Sequence, residues 1–142
     1  MKNLARISTS LILAVVLLFS FSACSSKIEK NELWKDATYL EDTEFGYGDT
    51  TITVEVKAGE DSITFTVNTN KDTVGAALIE HNLIEGTKGD YGLYVKKVNG
   101  ITADYDVDKS YWSFYVNDKY ANSGVDKTNI EKDAKYKLEY TK

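Results

Sequence analysis

A single cysteine, Cys24, and a single histidine, His81, are all the thiol and imidazole in this 142-residue chain. One cysteine closes no internal disulfide, and the pair cannot supply the nitrogen and sulfur ligands of a zinc centre. His81 stands between Glu80 and Asn82, near the predicted end of a helix, where a cation suits the helix dipole. No G-x-S-x-G or comparable nucleophile element is present to recruit it for catalysis. Carboxylates are plentiful, yet a small domain with one helix offers little cleft in which to raise a carboxyl pKa. A non-enzymatic protein is therefore expected. Positive charge is also short: 17 Lys and Arg against 22 Asp and Glu give a formal net charge of −5. Such a surface repels phosphate backbones and argues against nucleic acid as a partner. Internal repeats and low-complexity tracts are absent, and no apolar run after Cys24 is long enough to span a bilayer.

What is present begins with a leader. Lys2 and Arg6 precede an apolar run from Leu11 to Phe19, and Phe21-Ser22-Ala23 leads into Cys24. A charged segment, an apolar segment and small residues before a cut are the order of an export signal. The apolar run is about half the length of a membrane span. With a cysteine at the cut, the segment resembles the lipobox of bacterial lipoproteins. That resemblance implies a signal peptide over 1–23, acylation of Cys24, and a mature protein held by acyl chains on the outer face of the cytoplasmic membrane, most simply in a Gram-positive cell. Cleavage leaves 119 residues, enough for one domain, and moves the formal charge to −7 with the loss of Lys2 and Arg6. Docking on anionic lipid by charge is thereby disfavoured, which leaves the acyl chains to hold the protein.

Residues 24–49 read as a lipid-anchored flexible tether. Charges are interspersed with few apolar anchors, and Gly46-Tyr47-Gly48 marks flexibility. The patterned domain runs from 50 to 142. Ile52, Val54 and Val56 alternate with polar residues, Ala58-Gly59-Glu60-Asp61 turns, and Ile63, Phe65 and Val67 resume the period of a hairpin. Asp72 or Thr73 caps a predicted helix from Val74 to about Asn82, burying Val74, Ala77 and Leu78. Gly86 and Gly89 read as a connection, followed by a strand over Tyr91 to Val98 and the turn pair Asn99-Gly100. An aromatic strand over Tyr111 to Asn117 and a last strand around Tyr136, Leu138 and Tyr140 complete an α+β domain. A single helix covers one face of such a mainly antiparallel sheet of about five strands and leaves the other open.

The domain resembles a family of small bacterial surface lipoproteins whose domain is of unknown function. That domain is itself similar to the C-terminal β-domain of the cobalamin carriers transcobalamin and intrinsic factor. The likeness rests on Thr73-Val74-Gly75-Ala76-Ala77-Leu78, Tyr91-Gly92-Leu93-Tyr94-Val95, Val98-Asn99-Gly100-Ile101, Tyr111 to Asn117, and Gly124-Val125-Asp126. It implies a β-grasp-like sheet and a ligand-binding heritage, with cobalamin or a related corrinoid as ligand and a transporter or surface protein as partner. Two turns depart from the family pattern: Asp118 follows Asn117 where Gly is usual, and Asp133-Ala134 replaces Gly-Asp before the last strand. The helical domain that completes the carriers' site is missing from this chain, so function carried over is analogy.

Alternation along the aromatic strand sends Trp112, Phe114 and Val116 to the core and Tyr111, Ser113 and Tyr115 to the open face. Tyr94 falls on that outer face from the neighbouring strand, and Tyr105 can fold over it. Rigid rings with a hydroxyl tip suit a flat macrocycle, a sugar or a protein partner, so Tyr94, Tyr105, Tyr111, Ser113 and Tyr115 form the predicted ligand surface. Asp104, Asp106 and Asp108, followed by Ser110, place oxygens at alternate positions as a calcium loop does. An EF-hand is excluded, because Lys109 stands at the turn glycine and Tyr115 at the bidentate glutamate. The segment reads either as a weak calcium loop or as a solvated acidic loop.

Overall fold

The computed structural model describes residues 27–142. Its elements are β1 (Thr43–Phe45), β2 (Thr50–Ala58), β3 (Asp61–Thr69), α1 (Val74–Glu80), β4 (Ile84–Gly89), β5 (Gly92–Val98), β6 (Ile101–Thr102), α2 (Tyr105–Asp108), β7 (Tyr111–Val116), β8 (Lys119–Tyr120), a 3-10 turn (Val125–Lys127) and β9 (Lys135–Thr141). The segment 1–23, read as a signal peptide, and Cys24, read as the acylation site, lie outside the described residues.

The expected hairpin forms as β2 and β3, antiparallel with Val54 opposite Phe65 and Val56 opposite Ile63. Every second side chain is buried along both strands, as a sheet with one covered face requires. Against β2 lies β9 in parallel register, and β7 pairs antiparallel with β9, setting Trp112 opposite Tyr140 and Phe114 opposite Leu138. The result is a mixed six-stranded sheet in the order β1-β3-β2-β9-β7-β8, with a separate three-stranded sheet, β4-β5-β6. The fold is mostly β with a few short helices, and it departs from the expected mainly antiparallel sheet of about five strands under one helix. The main sheet has six strands with parallel pairs β1–β3 and β2–β9, and β5 belongs to the second sheet rather than neighbouring β7 in the first.

Helix α1 begins where Thr73 accepts a hydrogen bond from the Ala76 N–H at 3.2 Å, the expected cap. It ends earlier than the sequence predicts, at Glu80, with Asn82 in the left-handed region (φ 55°). Its buried stripe of Val74, Ala77 and Leu78 joins Val54, Phe65, Val67, Val98 and Leu138 in one core. Each fully buried aliphatic or aromatic side chain there contributes about 1.5–3 kcal/mol of burial free energy.

The tether expected over 24–49 is, from Lys27 onward, part of the folded body. Trp34 is fully buried, and its Nε1–H donates to the Ala58 carbonyl at 3.0 Å. Ile28 and Ala37 are buried with it. The Tyr39 ring meets Phe45 and Phe65 edge-on at 5.2 and 5.8 Å, and β1 runs parallel to β3. A few large apolar groups, each covering much area, dock a segment whose intervening charges stay in solvent. The glycines of β4 likewise lie within a strand: Gly86 sits at a register shift where the Tyr94 carbonyl approaches its backbone.

Candidate ligand-binding site

Between the two sheets, where β5 faces β7, lies an open cavity of about 440 Å³. This is within the size range of small-molecule sites. Trp112 and Phe114, 6% and 7% exposed, contribute to its lining from β7, while Leu93, Tyr94 and Val95 do so from β5. The segment from Tyr120 to Val125 and the turn around Tyr91 complete the lining. The Trp112 Nε1–H is committed to the Ile101 carbonyl at 3.2 Å, which fixes the ring. One wall is set by Asp126, whose carboxylate accepts the Leu93 N–H at 2.6 Å and so ties the 3-10 turn to β5. Behind that turn stands α1: a Cβ on Gly75 would lie 2.7 Å from the Asp126 nitrogen. The motifs at 73–78, 91–95 and 124–126 thus form one interlock around the cavity.

Of the predicted ligand surface, Tyr94 and Tyr111 both line this cavity. Tyr105 is half-exposed and packs edge-on to Tyr111 at 6.4 Å without lining it. Burial pushes the Tyr94 phenol above its ordinary pKa, with repulsion from Asp104 and Asp106 adding to the rise. Ser113 and Tyr115 are not part of the site. Ser113 is buried with its hydroxyl 2.8 Å from that of Thr141, and the Tyr115 ring carries Lys137 Nζ at 4.3 Å and meets Tyr120 at 5.5 Å. Trp112 and Phe114 are buried as predicted, but Ser113 between them is buried too, and the cavity takes Tyr111 together with Trp112 and Phe114, which are both core and lining. Sequence reasoning missed that dual role, and missed Tyr91 and the 120–125 segment. The Gly124-Val125-Asp126 motif was the available signal for the latter.

The acidic loop folds as α2, and two of its three carboxylates are already engaged. Asp104 caps the helix, accepting the Asp106 N–H at 3.0 Å. Asp108 accepts from the Ser110 N–H at 3.1 Å, from the Ser110 hydroxyl and from Lys142 Nζ at 3.2 Å. These contacts, the Ser110 hydroxyl first, lower its pKa to about 2. Lys109 takes the left-handed turn position itself (φ 67°). Among the described residues no three His, Cys, Asp or Glu side chains gather as metal ligands. The predicted calcium set Asp104, Asp106 and Asp108 is therefore not assembled, because two of the three carboxylates serve the loop's own N–H groups, one of them also holding the Lys142 ammonium. His81 stands apart at the end of α1, its Nε2 buried, without a hydrogen-bond partner among the described residues and 3.9 Å from Glu80.

An α+β domain with an aromatic cavity between two sheets is the class these features define. The chain belongs to the family described as a domain of unknown function, DUF4430, whose model matches residues 71–142. Among solved structures it is similar to a Ruminococcus gnavus protein described as a candidate metal binding protein. That likeness has 27% identity and a TM-score of 0.62, over 66% of this chain and 98% of the other. It is also similar in fold to haptocorrin solved in complex with Cbi, at 13% identity and a TM-score of 0.52. That match covers 69% of this chain and only 27% of haptocorrin. No curated protein matches the chain. The expected likeness is thus shown as a likeness of fold to haptocorrin.

Proposed function

We propose that this protein is a non-enzymatic, lipid-anchored binding module on the outer face of the cytoplasmic membrane. It takes a small extracellular ligand in the cavity between β5 and β7, with cobalamin or a related corrinoid the first to test, and hands it to a transporter or surface protein. The observation that carries the binding reading is the aromatic cavity itself, open to solvent and lined by Tyr94, Tyr111, Trp112 and Phe114. Rigid rings lose little entropy on gripping a flat ligand. Lipid anchorage rests on the leader and Cys24, and the corrinoid on the haptocorrin-like fold. Cobalamin added to the protein should change tryptophan emission or its own absorbance. Tyr94→Ala and Tyr111→Ala should each weaken that response, and Tyr115→Ala should leave it intact. A flat titration at high micromolar cobalamin overturns the corrinoid.

The likeness to a candidate metal binding protein favours a second reading, a structural or protein-interaction lipoprotein stiffened by calcium. That version requires Asp108 to exchange Lys142 for the metal. Millimolar calcium should then raise the melting temperature and chelator reverse it; an unmoved melting curve ends it.

A further inference from the structure

We propose that the cavity between β5 and β7 selects ligands bearing an ammonium-type cationic group over neutral or anionic ligands of the same shape. This rests on the cavity being the binding site. Six aromatic side chains line it: Tyr91, Tyr94, Tyr111, Trp112, Phe114 and Tyr120. Aromatic faces are negative, and several of them around one space attract a cation, most strongly where water is partly excluded. Among the described residues the lining includes no Lys, Arg or His, and one carboxylate, that of Asp90. An anion entering would lose hydration and meet no cationic side chain in the lining. The surroundings add to the bias, since Asp104 and Asp106 act on the Tyr94 ring from outside. The cations near the site already have partners: Lys127 Nζ sits at the rim on the carbonyl of the lining residue Asp90 at 3.3 Å, and Lys109 Nζ lies 4.7 Å over the Tyr105 ring. Lys137 stands similarly over Tyr115 on the opposite face of the sheet. Outside the cavity two tyrosine faces hold protein ammonium groups; the aromatic rings that line it have none over them among the described residues. Trp112 has spent its N–H on Ile101, so it has no donor left to offer a neutral or anionic ligand.

The test is a nuclear magnetic resonance titration of the full chain that follows its two indole N–H signals. Trp34, buried against Ala58, is the internal reference, and Trp112 is the reporter. Choline is compared with its neutral isostere 3,3-dimethylbutan-1-ol and with the anion 3,3-dimethylbutanoate. Choline should move the Trp112 signal with a Kd about tenfold lower than the alcohol, and the anion should bind more weakly still. Asp90→Asn should reduce the advantage of choline without changing the alcohol, and Tyr94→Ala should weaken both. Equal or tighter binding of the alcohol or the anion overturns the proposal. If cobalamin moves Trp112 while choline shows no advantage, the charge preference falls and the binding site stands. If neither cobalamin nor any of the three probes moves Trp112, the site falls and the preference with it.

Discussion

The side-chain amide of Asn99 clasps the backbone of Tyr39, accepting its N–H at 2.9 Å and donating to its carbonyl at 2.8 Å. The Asn99 backbone meanwhile donates to the Leu83 carbonyl at 2.9 Å and accepts the Thr38 N–H at 2.9 Å. One buried residue therefore joins the N-terminal segment, the end of α1 and the β5–β6 turn. It does so from a left-handed conformation (φ 52°), which Asn tolerates better than most residues. Beside it, Gly100 lets the Asp36 carbonyl approach where a Cβ would overlap it.

Asn99→Gly keeps the backbone conformation and deletes both clasping hydrogen bonds. It should lower stability by about 1–3 kcal/mol, the cost of leaving buried backbone groups unpaired. Asn99→Ala should cost more, because alanine adds strain at positive φ. Urea unfolding of the two variants measures both; an unchanged midpoint for Asn99→Gly would show that the clasp carries no weight.

Trp34→Ala removes a fully buried ring and its bond to the Ala58 carbonyl. A loss of about 3–5 kcal/mol is expected for truncating a core aromatic. Were residues 27–49 a detached tether, the melting curve would not move, so calorimetry separates the two cases.

Gly75→Ala would place a methyl group 2.7 Å from the Asp126 nitrogen. The 3-10 turn must then shift, at about 1–3 kcal/mol. Asp126 also fixes Leu93, so the ligand response should fall along with stability. Ile79→Ala, at an exposed position on the same helix, should leave the ligand response alone.

Asp108 has its pKa lowered from 3.8 to about 2 by Ser110 and Lys142. A folded value below the unfolded one means that the charged form favours the fold. That contribution is complete above about pH 4 and is lost as the pH falls toward 2. Asp108→Asn should therefore melt below wild type at pH 6, with the gap closing toward pH 2. The carboxylate is exposed, so the gap will be small and will shrink with salt.

The hairpin β2–β3 and strands β5, β7 and β9 were legible because alternation over six to nine residues leaves little choice of conformation. Thr73 was legible as a cap, and Asn99-Gly100 and Asn117-Asp118 as turns; all four turn residues take positive φ. β1, β6 and β8 are two or three residues long and carry no period. In β4 only Ile84 is buried, so the strand had neither alternation nor β-branched enrichment to mark it. The docking of residues 27–49 was hidden for a related reason. Its apolar anchors are isolated in sequence, and their weight appears only when a sheet offers them a surface.

The same division runs through the candidate site. Alternation determined that Trp112 and Phe114 share one face of β7 and Tyr111, Ser113 and Tyr115 the other, because side chains must alternate along any strand. It could not determine what stands opposite. Only the tertiary structure placed β5 across from β7 in a second sheet, opened a cavity on the inner side, brought Tyr94 and Tyr111 to it and left Ser113 and Tyr115 outside. Likewise the spacing of Asp104, Asp106 and Asp108 fixed an acidic loop, while the contacts of Ser110 and Lys142 decided how Asp108 is used. Local periodicity is a property of neighbouring residues. A cavity depends on which distant strands meet, and that is decided by the packing of the whole core.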